Sequence, residues 1–125
     1  MQFRDLLFAQ FFVLVTLAFL YFIDLLLYLE WTFWWYDIVF HSIGGAWVAL
    51  LLYTLFVFYG YEPHFARTLA GVICIGILWE LFEFAIGAPR EANYALDTSL
   101  DLLMDVVGGV FGFLLGQHIR YSTKA

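Results

Sequence analysis

Eleven Asp and Glu residues stand against five Lys and Arg in this chain of 125 residues, which is nonetheless 65% hydrophobic. Six of the acids, Asp24, Asp37, Glu80, Glu83, Asp101 and Asp105, fall inside long apolar runs, and Asp97 falls just before one. Their spacing gathers them onto helix faces. Asp37 and His41 are four apart, Glu80 and Glu83 are three apart, and Asp97, Asp101 and Asp105 advance in steps of four. His41 is the base that falls among them.

An ionised side chain at the centre of a bilayer costs at least about 2.5–3.5 kcal/mol, so six acids in so short a chain need a common explanation. A divalent cation is one: carboxylates with one imidazole suit Mg, Mn, Ca, Zn or Fe, and the ion supplies the missing positive charge. Protonated or proton-sharing carboxyls are another, with pKa values raised by desolvation and mutual repulsion. In a third, Arg90 reaches from its loop to pair with one or two acids while the rest face water. A lone histidine on an apolar helix is ordinarily a hydrogen-bonded core residue. One turn from Asp37 and level with other carboxylates, His41 reads instead as a ligand.

The elements that must position these groups are membrane spans. A span needs about 20 apolar residues, and four segments qualify: Leu6–Leu29, Tyr36–Phe58, Ala66–Ile86 and Thr98–Ile119. The fold class is therefore all-α, a single domain of four transmembrane helices in a compact bundle. The first run is too long for a signal-peptide core and no small-residue cleavage site follows it. It ends in an aromatic belt from Trp31 to Tyr36 of the kind found at headgroup level. Arg4, Arg67, Arg120 and Lys124 collect on one side and Arg90 on the other, which predicts both termini in the cytoplasm. At about 1.5 Å per residue all six acids then lie within roughly 10 Å of the outer boundary.

Glycines continue these stripes inward: Gly44 and Gly45, Gly76, and Gly108, Gly112 and Gly116. Small residues let helices approach closely, so the polar faces should meet inside the bundle. The last stripe fits a homo-oligomer face equally well. Cys74 stands alone and implies no disulfide. Glu-x-x-His pairs, His-Glu-x-x-His and phosphate-binding glycine loops are all missing. The basic residues are too few for nucleic-acid binding.

From Tyr36 to Gly116 the chain resembles the VanZ-like small membrane proteins and the related YjdF-like inner-membrane proteins. The resemblance rests on Asp37-x-x-x-His41, Glu80-x-x-Glu83, Pro89-Arg90, and Asp101-x-x-x-Asp105 followed by Gly108 and Gly112. VanZ-like proteins commonly carry Gln in place of Glu83 and Asn in place of Asp105, so this chain is closer to the YjdF-like pattern. The resemblance implies a four- or five-helix protein of the bacterial inner membrane, linked to the cell envelope, and supplies no reaction.

The expectation for the site follows. His41, Glu80, Glu83, Asp101 and Asp105 would bind a divalent metal ion, with Asp37 orienting His41. Arg90 would hold an anionic group above, and Asp97 and Asp24 would line the approach. Such a site could act on or bind a lipid-linked substrate among the membrane lipids. A non-enzymatic subunit of a larger membrane complex, or a proton- or cation-conducting module, is the alternative. Few polar residues continue to the other side (Gln10, Thr16 and Thr54), which counts against conduction.

Overall fold

The computed structural model describes residues 2–87 and 92–122, and Arg90 lies outside them. In lipid every backbone N–H and C=O must find a partner within its own segment, so the apolar runs become helices. They are α1 (Gln2–Leu27), the short α2 (Leu29–Thr32), α3 (Trp35–Phe58), α4 (Phe65–Ile86) and α5 (Tyr94–Ser122). Four of these are long and apolar enough to cross a membrane. Even the 22 residues of α4 reach about 33 Å.

The boundaries depart from the predicted spans in two places that matter. The first apolar run does not continue smoothly to Leu29. Tyr28 takes a left-handed conformation with φ of 51° and separates α1 from α2. The Asp24 carboxylate then accepts the Glu30 backbone N–H at 2.8 Å and holds the turn. The last helix starts at Tyr94, ahead of the expected Thr98, because the Asn93 side chain accepts the Leu96 N–H at 3.2 Å. Asp97 therefore sits inside α5 and not before it. At the far end of α4, Gly87 supplies the positive φ of 69° that closes the helix.

α3 and α5 form the central pair, and glycine sets their separation. A Cβ on Gly45 would collide with the Asp105 backbone, one on Gly108 with the Ser42 carbonyl, and one on Gly112 with the Ala46 backbone. Gly116 accommodates the Tyr53 ring. The stripe that fits a dimer face is thus used within the chain, as a backbone-to-backbone seam. Gly44, by contrast, meets nothing.

α1 leans on α3, and α4 leans on α5 and α3. The α1 contact is fixed by the Tyr36 hydroxyl, which donates to the Leu20 carbonyl at 2.6 Å, and by Gln10, which donates to Leu50 and Thr54. Leu6, Tyr53 and Phe113 form the buried cluster near the termini, with Tyr53 and Phe113 edge to face at 5.4 Å. Among the described residues no Cα of α1 lies within 8 Å of a Cα of α4. Phe8, Phe11, Phe12 and Phe19 lie exposed along α1, as lipid-facing side chains do.

Candidate functional site

Connectivity places α2, the start of α3, the end of α4 and the start of α5 at one end of the bundle. The acids lie there. The α3–α5 seam brings two short side-chain ladders face to face: Asp37 and His41 on α3, Asp101 and Asp105 on α5. His41 is buried at 6% exposure, Asp101 at 4% and Asp105 at 7%. An aspartate side chain is too short to bridge ordinary helices packed 8–10 Å apart at their axes. Gly45 and Gly108 remove that obstacle.

The His41 ring sits between two carboxylates. Its Nδ1 lies 3.1 Å from Asp105 Oδ1 and its Nε2 lies 3.6 Å from Asp37 Oδ1. Asp101 completes the group. One donor atom each from Asp37, His41 and Asp101 falls within 4.8 Å of the others. Asp105 stands on the opposite side of the ring, and its second oxygen, Oδ2, packs over Gly76 of α4.

Glu80 is equally buried, at 6% exposure, but takes a different partner. Its Oε2 accepts the Thr98 hydroxyl at 2.8 Å, and its Oε1 is buried with no hydrogen-bond partner among the described residues. Such an atom is costly and rare. Glu83 is half-buried one turn nearer the end of α4, Asp97 is half-buried on α5, and Asp24 is occupied with the Glu30 amide. Thr98 was not singled out by the sequence, although its place one turn before Asp101 puts it on the acidic face.

A family model with the description predicted membrane protein, DUF2238, matches residues 2–122. The chain belongs to that family. No curated protein and no solved structure matches it. The DUF2238 chain is accordingly an integral membrane protein whose polar residues converge within the spans.

No Lys or Arg forms an ion pair with the buried acids among the described residues. The ion pairs Arg4–Asp5 and Arg120–Glu62 lie at the other end. The excess negative charge is felt outside the spans as well. Glu30, on α2, has its carboxyl pushed up to about 7, first by desolvation and then by the charges of Asp37, Asp24, Glu83 and Asp97. Spacing could not flag Glu30, because it lies in an aromatic belt with no acidic partner at a helical interval.

Two cavities of this DUF2238 protein approach the group from different sides. One, of about 350 Å³, is lined by Asp37, Asp97 and Asp101 with Trp34 and Asn93, and lies toward the acidic end. The other, of about 280 Å³, is almost wholly apolar and runs between α1, α3 and α4 to His41 and Asp105. The apolar slot thus reaches His41 itself, and the polar cleft reaches Asp37 and Asp101 beside it.

Proposed function

We propose that this protein holds a divalent cation in the outer half of the membrane and uses it to bind or act on a lipid-linked substrate of the cell envelope. The observation that carries the reading is the convergence of Asp37, His41 and Asp101 to within 4.8 Å. The donor set fits: two carboxylates and an imidazole suit Mg, Mn, Zn or Fe, and three protein ligands leave positions open for water or substrate.

The geometry supports a division of labour different from the one spacing suggests. Asp37, expected behind His41, faces Nε2 and would serve as a ligand together with Asp101. Asp105, expected as a ligand, holds Nδ1 and so fixes the tautomer that leaves Nε2 free for the ion. Glu80 adds buried negative charge beside them, and Glu83 and Asp97 form the rim. A bound cation would acidify a coordinated water and polarise a substrate oxygen. The protein's own contribution is to hold the ligands on a rigid helix pair and to admit water through the polar cleft.

The distribution of Arg and Lys supports a topology with the acidic end outside and both termini in the cytoplasm, and the resemblance to YjdF-like proteins supports a bacterial inner membrane. The motifs that match VanZ-like and YjdF-like proteins include the four residues of the His41 group, which supports kinship in that direction. Elemental analysis of purified wild type beside Asp101→Asn tests the cation. Stoichiometric metal in the wild type and its loss in the variant are expected; wild-type protein that binds no divalent metal refutes it.

A further inference from the structure

The apolar slot between α1 and α4 has a polar end, and that combination selects an occupant. Leu14 and Leu17 of α1, Trp47 and Val48 of α3 and Ile75 of α4 make its walls, and His41 and Asp105 close it. The slot lies at the depth of the spans, where the surrounding medium is hydrocarbon. Its volume is about 280 Å³. A single hydrocarbon chain is thin enough to enter it.

Gly44 supports the same conclusion. It lines the slot, and a Cβ there would meet nothing within 4 Å, so helix packing does not require glycine at this position. Glycine within a helix is otherwise unfavourable. Its effect here is to keep the slot open.

The end of the slot determines the head of the chain. Asp105 is nine-tenths buried, its Oδ1 is engaged by His41, and its Oδ2 lies over Gly76 with no donor among the described residues. A carboxylate oxygen that borders an apolar slot without a donor calls for one. The surrounding acids repel an anion. We propose that the slot receives one membrane-lipid chain ending in an uncharged hydroxyl, which donates its hydrogen bond to Asp105 Oδ2. The lipid enters laterally between α1 and α4 while water reaches Asp37 and Asp101, beside His41, through the polar cleft. This rests on the lipid half of the proposed function and names a lipid that is bound there, since Asp105 stands across the His41 ring from Asp37; the cation half is separated by the test.

The test is photolabelling of the full chain with a diazirine-bearing long-chain fatty alcohol, beside the same chain as its phosphate monoester. Both are run in EDTA, so that loss of the cation reading leaves the result interpretable. The alcohol should label peptides carrying Trp47, Val48 and Ile75 above the level at Phe12 on the exposed face of α1. Gly44→Leu, which fills the slot from α3, should remove that excess. Ile75→Trp, which fills it from α4, should do the same and serves if the first variant fails to fold. The phosphate ester should show no excess. Labelling spread evenly over lipid-facing residues, an excess that survives both substitutions, or an ester that labels as well as the alcohol overturns the inference.

Discussion

The two ends of this bundle handle charge in opposite ways. At the end that carries the termini, Arg120 donates two hydrogen bonds to Glu62, at 2.6 and 2.7 Å, and joins α5 to the turn between α3 and α4. The pair sits beside a conventional apolar cluster of Leu6, Tyr53 and Phe113. At the other end, Asp37, Asp101, Asp105 and Glu80 surround one histidine, and no Lys or Arg of the described residues joins them. One end neutralises an acid with arginine, while the other gathers acids around His41 with no Lys or Arg of the described residues among them, and the proposed cation site rests on that difference.

The largest effect should come from the seam that both ends share. Gly108→Ala puts a methyl group against the Ser42 carbonyl, backbone to backbone, where no rotamer change can relieve it. Overpacking typically costs 1–3 kcal/mol and more where backbones must separate, so a loss of about 3 kcal/mol or more is expected in detergent unfolding. The substitution should also abolish any response to cations, because Asp101 and Asp105 move away from His41.

Next is the acidic end itself. Asp101→Asn removes one ligand and one repelling charge together. In EDTA the variant should be as stable as wild type or more stable, since like charges at short range oppose folding. With a cation at a hundredfold excess over its Kd it should lack the roughly 2.7 kcal/mol that binding confers on the wild type. A variant destabilised in EDTA would mean that Asp101 is engaged in a satisfied pair, and the contrast between the ends would disappear.

The arginine pair should matter less. The Glu62 side chain is 79% exposed, and exposed pairs contribute about 0.2–1 kcal/mol. Glu62→Ala should therefore lower stability by less than about 1 kcal/mol, in a salt-dependent manner, and leave cation binding unchanged.

The smallest effect is a pH slope. Because the Glu30 carboxyl is held at about 7 in the folded protein against an ordinary value of 4.5, the fold binds its proton more tightly than the unfolded chain does. The contribution of Glu30 to stability therefore rises as pH falls from about 7 toward 4.5, and its penalty is full above 7. Unfolding midpoints of wild type and Glu30→Gln, measured across that window in EDTA, should converge at its acidic end. Parallel curves would show that neither desolvation nor the field of the acids raises the Glu30 carboxyl.

Much of this was legible in the sequence, for physical reasons that also mark where legibility stops. The four spans follow from apolar runs long enough to cross hydrocarbon, and the helical spacing of the acids follows from the same period that builds the helices. Gly108 and Gly112 announced a close contact, but only the fold shows that α3 occupies it. The turn at Tyr28 gave no glycine or proline signal, so the separation of α1 from α2 and the engagement of Asp24 with Glu30 went unseen. Which acid faces which nitrogen of His41 depends on the rotation of α5 against α3, a property of packing and not of spacing. The apolar slot lies where the backbones of α1 and α4 stand more than 8 Å apart, and no local pattern encodes that separation.

The most direct test of the central claim is thermal unfolding of the wild-type protein in detergent, first in EDTA and then with Mg, Ca, Mn and Zn in turn. A ligand that binds only the folded state stabilises it by RT ln(1 + [L]/Kd). At least one of these ions should therefore raise the transition in a concentration-dependent way, and His41→Gln should abolish the shift. If none of them moves the wild-type transition, the acids around His41 hold their protons among themselves, and the cation centre is wrong.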